Sequence, residues 1–136
     1  MQLKKNYLFF NFNNLSKTIE VITFCKKAKI FPILCIKYYI IKGFGPDWLK
    51  ELKYLLLKKF NKKDFNILVD CKKNYGLFIC LVQQKLDFLQ VNADNKTLLR
   101  LRSIAKKNKV TVNPKISVIN ISNTEDIKLK LNKYKK

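Results

Sequence analysis

The chain has 136 residues, which is the length of one domain with one sizeable core. Its apolar content of 48% excludes an intrinsically disordered chain. The formal net charge of +20 is far from average and favours polyanionic partners such as nucleic acid, the ribosome or an anionic membrane surface.

The composition of the basic residues offers a second explanation of this charge. There are 27 Lys and only two Arg, while Asn and Ile occur 14 times each and His is absent. Codons rich in A and T encode Lys, Asn and Ile, so a genome of low G+C content would produce the same excess. Proteins that read phosphates and bases depend on the planar fork of Arg. We therefore favour a solvated lysine surface over a selected polyanion site.

The four cysteines indicate a protein of a reducing compartment. They form no C-x-x-C pair and there is no His, so we expect neither a metal site nor a cofactor. Each lies in an apolar run, where free Cys behaves as a small hydrophobic residue, and this favours a cytoplasmic location. The four residues are Cys25, Cys35, Cys71 and Cys80.

No segment of the sequence has the length of a signal peptide core or a membrane span. The apolar stretch Tyr7–Phe10 follows Lys4 and Lys5 but is too short for a signal peptide. The longest apolar stretch, Ile30–Ile41, is interrupted by Lys37 and falls short of the ~20 residues that cross a bilayer. We expect a soluble protein without a membrane span.

Strand-like and helix-like segments alternate along the chain. The predicted strands are Tyr7–Phe12, Phe31–Ile36, Ile67–Cys71, Phe88–Val91, Val110–Val112 and, more weakly, Ile116–Ile121. The predicted helices run from Asn14 or Ser16 to Lys29, then over Gly45–Phe60, Asn74–Gln84 and Asp94–Asn108. The stretch Tyr38–Phe44 fits either a short helical turn or a loop. A terminal helix could begin at Thr124, Glu125 and Asp126. The chain after about residue 122 is a basic tail that ends in Lys133–Lys136, and we expect this tail to fray.

Strands that alternate with helices of ten to fifteen residues predict βαβ units. We therefore expect one α/β domain over residues 1–136, a three-layer sandwich with a mainly parallel sheet of four to six strands and alternating helices. Its central strands should be parallel neighbours joined by right-handed crossovers. The helix Asn74–Gln84 is apolar nearly all round, which predicts that it is buried or covered by a partner subunit.

Ligands of open parallel sheets bind outside the carboxyl ends of the strands. Applied here, this rule selects the loops after three predicted strands, and it predicts the ligand-binding residues Gly43, Gly45, Asp70, Cys71, Lys72 and Asn92. Asp70 ends a buried strand and is the one weak catalytic candidate. The alternative is that Asp70 is a polar strand end that caps the following helix.

Two of these loops have further chemistry to consider. Lys72 and Lys73 follow Cys71, and nearby cations are expected to lower the pKa of a thiol. The absence of His excludes a Cys–His nucleophile pair. The turn Gly43-Phe44-Gly45-Pro46 precedes a helix and is either a generic anion cradle or a turn whose glycines only reverse the chain.

The densest basic cluster lies on the helix Asp94–Asn108 and just after it. It is either a solvated surface or a stripe that contacts phosphates, and no aromatic residue is interleaved with it, which argues against stacking of single-stranded bases. The residues of this basic cluster are Lys96, Arg100, Arg102, Lys106, Lys107 and Lys109.

Four short motifs lie in residues 32–110: Gly45-Pro46-Asp47-Trp48, Val69-Asp70-Cys71, Gly76-Leu77 and Leu98–Ala105. In these motifs the chain resembles a small, functionally uncharacterised α/β family of alphaproteobacteria. It implies an α/β fold in a member of low G+C content and brings no known activity. A fainter similarity is to STAS regulatory domains, but their Asp-Ser-Ser/Ala-Gly phosphorylation loop is missing here, so that mechanism is not carried over.

The sequence thus leaves three classes of function open. The first is a non-enzymatic cytoplasmic domain that binds a small ligand or a protein partner at the carboxyl edge of its sheet; the sequence also leaves a homodimer open. The second is a protein associated with nucleic acid or the ribosome through lysine-rich helices. The third is an enzyme that uses Asp70.

Overall fold

The computed structural model describes residues 6–121 and 126–132. The strands in these residues are β1 (Tyr7–Asn11), β2 (Phe31–Ile36), β3 (Asn66–Asp70), β4 (Phe88–Gln90), β5 (Thr111–Val112) and β6 (Val118–Ile119). The helices are α1 (Leu15–Ala28), α2 (Tyr38–Phe44), α3 (Pro46–Leu57), α4 (Tyr75–Gln83), α5 (Asn95–Lys107) and α6 (Ile127–Leu131). A single 3₁₀ turn, Lys62–Asp64, precedes β3.

The strands form one sheet in the order β5-β4-β3-β2-β1-β6, and all neighbours are parallel. The central strands lie next to each other in chain order, as the alternation of segments predicts. The α/β class with a parallel sheet and alternating helices is therefore confirmed. The last strand, β6, returns to the far edge and pairs with β1.

The helices cover one side of this sheet. Five strands follow each other in chain order, and right-handed crossovers then place every connecting helix on the same side. Alternate strand residues such as Leu34, Ile67 and Val69 point to this side, where they form the main core with Ile22 and Leu56. All five are at most 1% exposed, so this side carries most of the hydrophobic stabilisation.

The opposite side of the sheet is covered more thinly. Its buried residues are Ile33, Cys35, Leu68 and Phe88, and no described helix contributes to this cluster. Ile116 and Val118 pack against it. They belong to residues 113–119, the crossing segment, which leads from β5 at one edge to β6 at the other. The structure is thus consistent with a three-layer sandwich whose third layer is one stretch of chain.

Asparagine side chains fix both ends of the crossing segment. Asn113 accepts a hydrogen bond from the Val91 N–H at 2.8 Å and donates one to the Val91 carbonyl at 3.0 Å. Beyond the other end, the Ile121 N–H donates to Asn11, and the Ile121 carbonyl accepts from the Asn13 amide at 2.8 Å. These bonds satisfy backbone groups that leave the sheet ladder.

The structure decides several local questions. Tyr38–Phe44 is a helix. The apolar helix α4 is buried by its own chain, since Phe78 and Leu81 lie in the main core. Trp48 is half-buried and packs between the rings of Phe12 and Phe44, with centroids 5.4 and 5.2 Å away.

The end of the chain was expected to fray from about residue 122. Within it, α6 is a helix whose Ile127 and Leu131 are buried and whose first turn is capped by Asp126. The predicted roles of Thr124 and Glu125 and the basic end Lys133–Lys136 lie outside the described residues, as do Lys4 and Lys5. No helix in residues 6–121 and 126–132 has the length and apolarity needed to cross a membrane.

Candidate functional site

The side chains at the ends of four neighbouring strands meet in a pocket on the thinly covered side. We call it the strand-end pocket, and its volume is about 260 Å³. Cys35, Leu68, Ile116 and Val118 give it apolar walls, and the crossing segment lies over it. The polar residues that line it are Asn11, Lys37, Asp70, Gln90 and Asn120.

Asp70 is the carboxylate of the strand-end pocket. Its Oδ1 accepts the Lys72 N–H at 3.0 Å, and its Oδ2 lies 3.1 Å from the Lys72 ammonium. The alternative that Asp70 caps the next helix is wrong, because the cap of α4 is Asn74, whose Oδ1 accepts the Leu77 N–H at 2.9 Å. The Asp70 side chain keeps 25% of its surface exposed and can still accept a hydrogen bond from a ligand.

Cys71 points to the other side of the sheet. It is fully buried in the main core, and burial, followed by the negative charge of Asp70, raises the pKa of its thiol to about 12. The expectation that Lys72 and Lys73 lower this pKa is wrong, because loss of hydration outweighs the exposed ammonium groups. The thiol of Cys71 does not line the pocket. Burial likewise raises the pKa of Cys35, at the pocket wall, to about 12.

Lys72 and Asn92 meet in a second, more open pocket at the same edge. This lysine groove has a volume of about 450 Å³ and is lined by Tyr38, Lys72, Lys73, Asn74 and Asn92. The Asn74 amide donates to the Tyr38 hydroxyl at 3.3 Å, and the Tyr75 hydroxyl donates to the Asn92 carbonyl at 3.1 Å. These bonds hold the start of α2, the start of α4 and the loop after β4 together.

Gly43 and Gly45 lie in neither pocket. Gly45 separates α2 from α3 with a φ of 89°, a value that residues with a side chain rarely adopt. Its N–H donates to the Ile41 carbonyl at 2.7 Å and is therefore not available to an anion. Pro46, at the first position of α3, has no N–H to offer. The geometry favours the interpretation of this turn as a chain reversal.

All six residues of the basic cluster are exposed on α5 and the turn that follows it. Arg102 makes a long hydrogen bond of 3.5 Å to the Val112 carbonyl. None of the ion pairs between described residues involves the cluster. Leu99 is 70% exposed on the same helix, so the surface of α5 is not uniformly charged.

Sequence reasoning missed four polar residues of the strand-end pocket. Lys37 directly follows β2, and a polar residue after an apolar run was a usable signal for it. Asn11 and Gln90 are the last residues of β1 and β4, and a polar residue at the end of an apolar run was a usable signal for both. Asn120 could not be found in this way, because its place depends on the path of the crossing segment. In the described residues, no group of three His, Cys, Asp or Glu side chains is placed to hold a metal ion.

Comparison with known proteins adds no relative. No protein-family model matches the sequence. No curated protein and no solved structure gives a significant match. The resemblance to the alphaproteobacterial family and the fainter one to STAS domains therefore stay predictions, and the function has to be argued from the geometry.

Proposed function

We propose that the protein binds a small polar ligand in the strand-end pocket. One observation carries the proposal: side chains from the ends of β1, β3 and β4, with Lys37 just after β2, line one pocket beneath the crossing segment. Convergence of polar groups from several strands at the carboxyl edge is how open parallel sheets build ligand sites.

The lining groups restrict the chemistry of the ligand. Lys37 supplies a positive charge, Asp70 a negative one, and Gln90 and Asn120 supply amides that both donate and accept hydrogen bonds. Leu68 and Ile116 add an apolar wall. The volume of about 260 Å³ is below that of sites for drug-sized molecules. A zwitterion with a short apolar part, of the size of an amino acid, matches the two charges, the apolar wall and the volume of the pocket.

Calorimetric titration with three probes of similar size tests the proposal. Leucine carries both charges, succinate two negative charges and putrescine two positive charges. We expect leucine to bind most tightly, and we expect Asp70→Asn to weaken its binding about tenfold, because the ammonium group loses its charged partner. Glu51→Gln is the matched control, since it removes an exposed carboxylate on α3, on the other side of the sheet. Absence of binding for all three probes, or equal binding to both variants, would contradict the proposal.

A second candidate function is binding of duplex nucleic acid by the basic cluster. It is favoured by the exposure of all six side chains and by their lack of ion pairs within the described residues. Each phosphate contact adds about −0.9 to the log–log slope of affinity against salt. Replacement of Arg100, Arg102 and Lys106 by Gln should then reduce the slope by about two to three.

The control for this experiment keeps the net charge of the triple variant. Lys27, Lys50 and Lys59 are exposed on other helices or their ends, and their replacement by Gln removes the same three charges. Equal slopes for the two triple variants would show that attraction by the charge of the whole protein explains the binding. Asp70→Asn should leave the slope unchanged.

A further inference from the structure

We propose that the carboxyl edge carries a second binding surface, which takes single-stranded nucleic acid. This aromatic–lysine surface consists of Tyr39, Lys42, Phe44, Lys72, Lys73 and Tyr75. It goes beyond the proposed function, because none of these residues lines the strand-end pocket. It also differs from the basic cluster on α5, which has no aromatic residue interleaved.

Three aromatic rings of this surface are open to solvent. Tyr39 is 69% exposed, Phe44 66% and Tyr75 37%, although rings of this size are normally buried. Phe44 stacks on Trp48 at 5.2 Å with an angle of 25°, and Trp48 rests edge-on against Phe12, the residue after β1. The inner face of Phe44 is thus supported, which leaves a positioned ring on which a base can stack.

The same edge of the sheet carries exposed lysines. Lys72 and Lys73 line the lysine groove between Tyr38 and Asn92, and Lys42 lies one helical turn after Tyr38 on the same side of α2. Asp70 forms an ion pair with Lys72. Neither Lys42 nor Lys73 takes part in the ion pairs between described residues. Two exposed carboxylates lie near the ends of this surface: Asp47, in the first turn of α3 after Phe44, and Asp94, the N-cap of α5, two residues after Asn92.

The extent and composition of the surface point to a single strand. At one end the Tyr75 hydroxyl donates a hydrogen bond to the Asn92 carbonyl after β4. At the other end Phe44 stacks on Trp48, which contacts Phe12 after β1. β4 and β1 are three strand spacings, or about 14 Å, apart. A duplex hides the faces of its bases, whereas a single strand presents them together with its phosphates. Exposed aromatic rings and exposed ammonium groups at the same edge of the sheet match this combination, over a length that fits a few nucleotides.

Fluorescence anisotropy with a labelled twelve-nucleotide RNA strand of mixed sequence tests this inference. The double variant Tyr39→Leu, Phe44→Leu keeps the bulk and the net charge but removes two ring faces. We expect an affinity loss of about tenfold or more with an unchanged salt slope, because no phosphate contact is lost. Replacement of Lys42 and Lys73 by Gln should instead reduce the slope by about 1.4, which is about 0.7 for each single-strand contact.

Tyr54→Leu is the matched control. Tyr54 is 57% exposed on α3 and has the Lys58 ammonium 4.6 Å above its ring, so it repeats the aromatic–lysine pairing away from the carboxyl edge. Its replacement should leave the affinity unchanged. If the double variant melts below the wild type, Tyr39→Leu alone replaces it, since Tyr39 takes no part in the Trp48 stack, and a loss of at least threefold is then expected.

Three results would overturn the inference. The first is wild-type affinity for the aromatic variants, and the second is a loss of the same size for Tyr54→Leu. The third is equal affinity for the strand and for its duplex in the variant with Arg100, Arg102 and Lys106 replaced by Gln, since a duplex offers no free base faces and this variant weakens the duplex site considered on α5. Failure of the leucine titration would not affect the inference, because the two sites share no residue.

Discussion

The two sides of the sheet differ in what covers them and in what they can do. On the helix side, five strands and the helices between them bury a continuous core in which Ile22, Leu56 and Phe78 have no exposed surface. On the other side, four buried residues lie under one crossing segment, and the polar strand ends remain accessible beside it. The difference follows from chain order, because sequential strands with right-handed crossovers send all connecting helices to one side.

This comparison separates a side that carries most of the buried core from a side that holds the candidate pocket. A change of volume on the helix side costs stability, because its side chains are closely packed in the core. The crossing segment forms a wall of the pocket and is fixed by asparagine side chains at its two ends and by the packing of Ile116 and Val118 between them. Four experiments test the structural basis of this comparison between the two sides of the sheet, beginning with the largest expected effect.

The first test compares a core residue from each side. Phe78→Ala should lower the free energy of unfolding by about 3–5 kcal/mol, because it leaves a large cavity in a fully buried site. Ile116→Ala should cost about 1–2 kcal/mol, because the side chain is half-buried and the segment can adjust. Urea unfolding monitored by circular dichroism measures both. Equal losses would show that the two sides contribute equally to stability.

The second test concerns the anchor at the start of the crossing segment. Asn113→Ala removes both hydrogen bonds to Val91 at a residue whose φ is 50°, so we expect a loss of about 1–3 kcal/mol in unfolding free energy. Asn92→Ala is the control, since Asn92 is exposed, and it should stay within about 0.5 kcal/mol. A neutral Asn113→Ala would mean that the segment is held by its apolar contacts alone.

The third test uses the amino ends of the strands, opposite the proposed sites. Burial raises the pKa of Asp87. The hydrogen bond from the Ile67 N–H and the positive charges of Lys53 and Lys62 lower this pKa, but their effect is smaller than that of burial. The folded protein therefore holds this proton more tightly than the unfolded chain, and stability falls as pH rises from the ordinary Asp pKa through the raised one. Asp87→Asn cannot ionise, so its melting temperature relative to wild type should be higher at pH 7 than at pH 4. A pH-independent difference would contradict this assignment.

The fourth test asks whether either side exposes a reactive thiol. Burial raises the pKa of Cys25, Cys35 and Cys71 to about 12, and Cys80 is the partly exposed cysteine. At pH 8, Ellman's reagent should therefore titrate one thiol in the folded protein and four after denaturation. Rapid reaction of a second thiol, lost in Cys35→Ser, would show that the thin side opens more than the structure indicates.

Much of the fold was predictable, because hydrophobic periodicity and turn residues are local signals. Phe31–Ile36 coincides with β2, and Pro46 marks the start of α3 as its fixed φ requires. The weak strand prediction Ile116–Ile121 is confirmed over Val118–Ile119, which is β6. The path of the crossing segment to the far edge was not predictable, because the pairing of β6 with β1 depends on tertiary contacts. The abundance of Asn pointed to codon usage, and nothing local distinguishes Asn11, Asn13 and Asn113 as anchors.

The site was predictable in part for the same reason. The rule for parallel sheets directs attention to the ends of the strands, and Asp70, Lys72 and Asn92 line pockets there. It does not say which side of the sheet a side chain faces. Alternation along β3 turns Asp70 to the thin side and the next residue, Cys71, to the core.

The central claim, that the strand-end pocket is a binding site, is tested most directly by an amide ¹H–¹⁵N NMR titration with leucine. We predict that saturable shifts are concentrated at Asn11, Asp70, Gln90 and Asn120, with the residues of the crossing segment following, and that Asp70→Asn abolishes them. Saturable shifts confined to another surface, such as the groove between α1 and α6 beside Phe24 and Ile127, would contradict the account, as would a spectrum that leucine leaves unchanged.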